Sequence, residues 1–332
     1  MMGLSFPVLL LLVIGFFFGW LLLLKFKLLF ISLLALILGY KSIAVFIGFN
    51  APVSFTTQKQ TGAIRVVSWN VARFIELARN NNAGSNIRKK MLALLKEQKA
   101  DILCLQEFHT SENPGFYNNI RAIREELGFS YHYFPYDKDG DRNYYSSVIF
   151  SRFPIVDSAL LRYPRPSQPE ALVQADIQVN KDTIRVFTTH LQSQRFDKLD
   201  YARMQKIKSR EDSLVYHSIP IVAKLKRGIV IRSIQADIIG EVRSNSPYPV
   251  LFTGDLNDVP NSYTYFKVRG ELRDAFLEKG YGLGRTFRGL SPTLRIDYIF
   301  SDSRFSVAQF KREKKNYSDH YMLVADLQLN NP

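Results

Sequence analysis

The sequence predicts an α/β domain of packed sheets behind an apolar N-terminal hairpin. Three observations predict it. Two apolar runs of about twenty residues stand in tandem at the N-terminus, each long enough to cross a bilayer core. Short strand-like segments then alternate with helical patterns, which argues sheets with helices packed against them. Finally, polar residues recur where the apolar strands end, as when a rigid scaffold delivers chemistry into loops.

The first run is Leu4 to Leu24. Lys25 and Lys27 interrupt it, and Leu28 to Phe49 is apolar again apart from Ser32, Lys41 and Ser42. A cleaved signal peptide would place positive charge first and carry a shorter apolar core. The tandem arrangement instead predicts a transmembrane hairpin over residues 1–50, turning at Lys25–Lys27. By the positive-inside tendency that turn faces the cytoplasm, which puts everything after residue 50 on the extracytoplasmic side. Residues 51–63, with Pro52 and Gly62, read as a linker, and 64–332 as the folded domain.

Net charge is +14 over 332 residues. Three of the 44 Lys and Arg, and none of the 30 acids, lie in the first fifty, so the domain keeps a net +11. That excess favours anionic partners: phosphate esters, nucleic acid or anionic lipid. The single cysteine, Cys104, lies in an apolar strand, which excludes an intramolecular disulfide framework and a cysteine-based zinc site.

Ile64–Asn70 reads as the first strand. Ser85 is placed to N-cap a helix carrying Ile87, Met91, Leu94 and Leu95 on one face. Ile102–Gln106 is a short buried strand, and Ile120, Ile123 and Leu127 mark a second helix. Strands follow at Tyr145–Phe150, Ala171–Val179 and Thr183–His190; in the middle one Ala171, Val173, Ala175, Ile177 and Val179 point one way. From Ser193 to Arg227 the strand pattern stops, and nine basic residues face four acids in a basic insertion. Arg232–Val242 reads as a helix. Pro249–Pro260, PVLFTGDLNDVP, is a strand, with Gly254 permitting a sharp turn at its end, followed by Asp255 and Asn257. Strands near Arg295–Phe300, Phe305–Phe310 and Met322–Leu329 complete the chain.

Asn70 ends the first strand and Glu107 the second. His190 ends a later one, Asp255 and Asn257 follow another, Asp297 sits in RIDYIF, and Asp319 and His320 precede the last. Each alone could be a turn former or a surface charge; GDLND alone could be an Asx-rich turn. Their joint recurrence points to one site. Oxygen donors with few histidines favour magnesium or manganese over zinc.

The stretches VVSWNVARF, ILCLQEF, SSVIFSRFPI, VFTTHLQS, PVLFTGDLND, LRIDYIF and YSDHYML, in this order, resemble the endonuclease/exonuclease/phosphatase family of metal-dependent phosphoesterases related to pancreatic deoxyribonuclease. The resemblance spans about residues 64–329. It implies a four-layer sandwich of two mixed sheets flanked by helices. It also implies roles. Glu107 is the main metal ligand, supported by Asn70 and Asp319. Asp255 deprotonates the attacking water, and Asn257 hydrogen-bonds phosphate or water. His320 contacts the phosphate with Asp297 holding its tautomer, and His190 is a second histidine at the phosphate.

The chain departs from the family with Ser147 where glycine is frequent, Met322 where proline is frequent, and WNVARF without the glycine usual in abasic-site nucleases. The last departure argues against DNA repair. THLQS is similar to the family's sphingomyelinases. The expectation is a membrane-anchored, magnesium- or manganese-dependent phosphoesterase acting on a lipid headgroup. Its rivals are a nonspecific nuclease and a membrane-anchored binding module with an inactive site. The basic insertion would hang near the active-site rim, as a membrane-surface contact or a nucleic-acid track.

Overall fold

The computed structural model describes residues 2–78, 86–166, 170–194, 196–209 and 214–330. The first apolar run forms helix α1 (Met2–Leu22), along which no described residue is buried. Among the described residues it is the one helix long and apolar enough by itself to cross a membrane. The second run is not one continuous helix. It divides at Gly39 into α2 (Phe26–Leu38) and α3 (Tyr40–Phe46), bent by 60°. The chain reverses after Leu22 through a turn reaching Lys25, and Phe46 comes back to meet the Phe6 ring at 5.3 Å.

The C-terminal end of this apolar segment sits on the domain. Gly48–Phe49 pairs antiparallel with Tyr281–Gly282, so the expected hairpin boundary at residue 50 falls beside a strand pair. Arg295 Nη2 donates to the Val45 carbonyl at 2.5 Å, and Asn50 Nδ2 donates to the Leu277 carbonyl at 2.8 Å.

The domain is built from two six-stranded mixed sheets. The first runs, in spatial order, Phe305–Glu313, Met322–Leu329, Ala63–Asn70, Ile102–Ser111, Asn143–Ser151 and Tyr131–Tyr133. The second runs Arg273–Asp274, Asp297–Ser301, Val250–Asp255, Asp182–His190, Ala171–Val179 and Ile155–Arg162. Each sheet has one central parallel pair: Ala63–Asn70 with Ile102–Ser111, and Asp182–His190 with Val250–Asp255. The strand expected at Arg295–Phe300 lies at Asp297–Ser301.

Side-chain alternation builds the layers. Val66, Cys104, Val173, Ala175, Ile177, Val186 and Leu251 meet between the sheets. Their sequence neighbours point outward. Val67, Trp69, Leu103 and Leu105 pack under α4 (Ile87–Glu97) and α5 (Asn119–Leu127) through Met91, Leu95 and Ile123. The described residues give Asn86 as the residue before α4; the expected cap Ser85 lies outside them.

On the other face Phe187 and Phe252 pack against a long helix through Ala236 and Ile239. The basic insertion supplies α6 (Lys198–Ser209) and the start of that helix, α7 (Leu214–Ser244). α7 therefore begins well before the expected Arg232. Pro220 and the Lys/Arg cluster hide its start in the sequence. Each fully buried Val, Leu, Ile or Phe contributes roughly 1.5–3 kcal/mol by leaving water, so three such clusters hold the four layers together.

Candidate active site

The two parallel pairs end at the same edge of the sandwich, and their last rungs carry the chemistry. Asn70 is register partner to Gln106, and His190 is register partner to Asp255. Asp297 opposes Asp255 on the other side, so His190, Asp255 and Asp297 lie side by side on adjacent strands. Gly254, one rung earlier, is inside the strand rather than at a turn. Its φ is +154°, and a Cβ there would lie 2.4 Å from the Thr189 carbonyl oxygen. Glycine is required because the two backbones approach so closely.

Glu107 reaches the site through a break in its own strand. The register between Ile102–Ser111 and Asn143–Ser151 shifts between Leu105 and Phe108, and Glu107 has a φ of +49°. Such a bulge re-aims a side chain that regular pleating would direct elsewhere. Its side chain is 29% exposed, and its carboxylate accepts from Asn70 Nδ2 at 3.1 Å.

The Asn70 carboxamide is buried. Nδ2 also donates to Asp255 Oδ2 at 3.0 Å, while its oxygen accepts from the Ala72 N–H at 3.0 Å. Asn70 thus orients both carboxylates and turns its own oxygen toward the backbone. Gln106, beside it, donates to the Thr188 hydroxyl at 2.9 Å, a second polar tie between the sheets.

Asp255 Oδ1 accepts the Asn257 N–H at 2.8 Å, so the Asx turn expected of GDLND is present as well as the site. Asn257 has a φ of +49° and donates its amide to the Leu191 carbonyl at 3.0 Å. The Nε2 atoms of His190 and His320 each lie 3.6 Å from Asp255 Oδ2. His320 Nδ1 lies 2.9 Å from Asp297 Oδ2; since a carboxylate only accepts, Nδ1 carries the proton. Trp69 Nε1 donates to the His320 carbonyl at 2.9 Å and fixes the loop behind the ring.

Burial works against protonation of His320, but the carboxylates of Asp297 and Asp255 outweigh it and raise its pKa to about 10. Burial likewise works against His190, and Glu170, Asp255 and Glu107 outweigh it and raise its pKa. The carboxyl of Asp255 is raised by burial first and by Asp297 second, against the pull of the two imidazoles. A buried carboxyl with a raised pKa, between two imidazoles whose protonated forms the surrounding carboxylates favour, can take up a proton beside groups suited to an anion.

Glu107, His190, Asp255, Asn257, Asp319 and His320 line one cavity of about 280 Å³. Asn70 and Asp297 stand behind it as buried supports. Among the described residues, Asp255, Asp297 and His320 have ligand atoms within 4.8 Å of one another, close enough to share an ion. With Nδ1 of His320 engaged by Asp297, that trio fits a proton-holding array better than a ligand set. Glu107 and Asp319 are the alternative. Both face the cavity, and among the described residues neither has a Lys or Arg ion-pair partner. Hard carboxylate oxygens without a Lys or Arg counter-ion, and with only the His190 ring 3.7 Å from Glu107, fit a divalent cation.

Two participants escape the sequence reading. Glu170 Oε1 lies 3.4 Å from His190 Nδ1. Arg232 is fully buried at the cavity, with Nε 3.2 Å from Asp258 Oδ2 and Nη1 donating to the Gln192 carbonyl at 3.0 Å. Neither sits in a recognisable motif. The charge of Arg232, interrupting the apolar face of a helix, is the one sequence signal.

Fold and site together define a phosphoesterase scaffold. The model of the endonuclease/exonuclease/phosphatase family matches residues 67–320, and the chain belongs to that family. Members are typically metal-dependent hydrolases of phosphoester bonds. No curated protein matches the sequence.

Solved structures share the fold. An endonuclease/exonuclease/phosphatase from Beutenbergia cavernae is 19% identical with a TM-score of 0.58, covering 82% of this chain and 72% of that one. The human Nocturnin catalytic domain with bound sulfate is 17% identical, TM-score 0.53, covering 82% and 97%. D. rerio TDP2 complexed with single strand DNA product is 16% identical, TM-score 0.50, covering 80% and 99%.

Proposed function

We propose that the chain is a membrane-anchored, magnesium- or manganese-dependent phosphoesterase whose substrate is a lipid headgroup ester. The observation that carries the hydrolytic reading is the adjacency of His190, Asp255 and Asp297 on neighbouring strands, with His320 bonded to Asp297 at 2.9 Å. In this reading Asp255 takes the proton of a water attacking phosphorus, and the bond from phosphorus to the leaving oxygen breaks in line. His320 and His190 present cationic N–H groups to the non-bridging oxygens, where charge develops. Asp297 keeps His320 in the donating tautomer, and Asn257 holds the loop that carries Asp255. Glu107, oriented by Asn70, and Asp319, bonded by the Ser318 hydroxyl, would hold the cation, which would supply Lewis-acid charge at the phosphoryl group.

The membrane part of the proposal rests on α1 and on the bent α2–α3 pair, read as a hairpin turning at Lys25–Lys27 with the catalytic domain, residues 64–332, on the extracytoplasmic side. A lipid headgroup is favoured because an anchored enzyme meets lipids at high effective concentration. A nuclease is the second reading. Arg227 lines a smaller cavity next to the site, where it could meet a phosphate backbone; Lys224 beside it is already paired with Asp197 and Asp200.

One panel separates the readings: full-length protein in detergent, magnesium, and sphingomyelin, phosphatidylinositol phosphates, plasmid DNA or RNA. Lipid turnover is the expected result, and plasmid nicking without lipid turnover overturns the lipid assignment. Inactivity on every substrate with either metal favours the inactive binding module. Reporter fusions after residue 60 test the sidedness: activity only from a cytoplasmic reporter removes the extracytoplasmic placement.

A further inference from the structure

The catalytic cavity has two unlike walls. One carries the carboxylates and imidazoles. The other is apolar, built from Leu4, Phe196, Leu225, Phe287, Leu290 and Leu294. We propose that this apolar wall receives the hydrocarbon tail of a lipid phosphoester while its phosphate lies against Asp255 and His320, and that the first turn of the membrane helix α1 is part of the tail site. The proposal rests on the phosphoesterase reading and narrows its substrate class.

Four observations carry it. First, the walls are continuous: the Phe287 ring packs 5.0 Å from the His320 ring, so an apolar surface begins where the phosphate-binding groups end. Second, the apolar wall is open to solvent. Leu290 is 56% and Leu4 is 37% exposed, a cost that water imposes unless something covers them.

Third, Leu4 belongs to α1. Gly3 eases the close approach of α1 to the active-site loop: a Cβ there would lie 3.0 Å from the Asn261 carbonyl oxygen, a tight contact. The same loop residue donates from Nδ2 to the Ser42 carbonyl of α3 at 3.0 Å. The loop that follows Asp255 and Asn257 is therefore braced by both ends of the apolar hairpin. From Leu4, α1 runs away as a 21-residue helix, roughly 31 Å at 1.5 Å per residue, the thickness of a bilayer core. An α1 that crosses a bilayer places its first turn, and so the cavity mouth, at the headgroup level of one leaflet.

Fourth, α7 supplies Leu225 and Arg232 to the cavity while turning a stripe of Ile219, Val222, Val230 and Ile234 outward. These four are 43–60% exposed and are accompanied by exposed Lys226 and Arg227. Apolar residues flanked by basic ones suit the boundary between acyl chains and anionic headgroups. A lipid could then reach the site tail-first along the leaflet without leaving the membrane. A polynucleotide offers nothing comparable for the α7 stripe or for Leu4.

The test uses the full-length protein in mixed micelles with magnesium. Two phosphoesters of identical headgroup, one with short and one with long acyl chains, are compared at equal surface concentration, alongside the water-soluble bis(p-nitrophenyl) phosphate. The readout is the long-to-short ratio of kcat/KM. In the wild type it should exceed about tenfold, since each methylene group withdrawn from water is worth about fourfold. Leu290→Asp and Leu4→Asp should each lower the ratio at least about tenfold, chiefly through KM for the long chain. Leu290 is exposed enough that its substitution does not threaten folding. A wild-type ratio near one, or a ratio unmoved in both variants, overturns the proposal, as does turnover of nucleic acid without lipid. Hydrolysis of bis(p-nitrophenyl) phosphate with a flat ratio leaves the phosphoesterase reading standing and removes only the tail site; inactivity on all three substrates removes both.

Discussion

Asn70 Nδ2 donates to Asp255 Oδ2 at 3.0 Å across the gap between the two sheets. Each residue ends the parallel pair of its own sheet, so this one bond fixes the spacing between the carboxylate of Glu107 on one side and that of Asp255 on the other. Asn70→Ala removes a donor shared by two carboxylates and leaves their charges to repel. Turnover of bis(p-nitrophenyl) phosphate should fall about tenfold to a hundredfold. Unfolding should become easier by roughly 1–3 kcal/mol, the cost of an unsatisfied buried polar group. Steady-state kinetics with a denaturant titration check both.

Asp297→Asn keeps the shape behind His320 while removing the charge that holds its imidazolium. An amide in that position can also present N–H to Nδ1, which reverses the tautomer. The analogous change in a serine-protease triad lowers kcat by about four orders of magnitude; here a loss of at least about a hundredfold in kcat is expected, with near-native thermal stability. Equal kcat in the variant would remove His320 from the chemistry.

Chelation with EDTA should abolish hydrolysis, and magnesium or manganese should restore it. Glu107→Gln retains the bond from Asn70 but halves the negative charge available to a cation with Asp319. The magnesium midpoint should move up by about tenfold or more, an effect of the size seen when metal-site partners are altered. A midpoint unchanged in Glu107→Gln but raised in Asp255→Asn would transfer the metal to the Asp255–Asp297–His320 trio.

Gly254→Ala tests the closest backbone approach near the site. The added Cβ would meet the Thr189 carbonyl oxygen at 2.4 Å at a φ that non-glycine residues rarely adopt. The rung must open, at a cost of about 1–3 kcal/mol, and because His190 and Asp255 form the next rung, kcat should fall with stability. A melting temperature and kcat both equal to wild type would contradict the packing described.

Local patterns suffice to read the strands and to nominate most residues of the candidate site, because alternation sends Val66 and Val67, or Leu251 and Phe252, to opposite faces and so marks each strand and its end. The family motifs then tied those ends together. What resisted reading is what depends on distant residues. Glu107 faces the cavity through a bulge that pairing with Asn143–Ser151 creates. Gly254 is demanded by Thr189 across the parallel pair, which no local turn signal reveals. Glu170 and Arg232 arrive from elements outside the motifs. The second apolar run bends at Gly39, and α3 beyond it meets the domain where Val45 accepts from Arg295. Composition alone made that run look like a single span.

Cys104 offers a prediction about the inter-sheet core. It is the single cysteine of the chain and lies fully buried between the sheets. Burial pushes its thiol up from 9.0 to about 12, with Thr253 as a hydrogen-bond partner pulling slightly the other way. The thiolate is the reactive form, so the folded protein should react negligibly with a disulfide reagent at pH 8, and the unfolded protein should react at once. The sign of the stability effect follows from proton counting. Above pH 9 the unfolded chain has lost this proton and the folded one still holds it, so stability is unaffected below pH 9 and declines between pH 9 and about 12. Cys104→Ala removes that component, so the alkaline decline in denaturant midpoint should be shallower in the variant. A wild-type thiol titrated fully at pH 8 without denaturant would mean that the two sheets do not seal against each other as described.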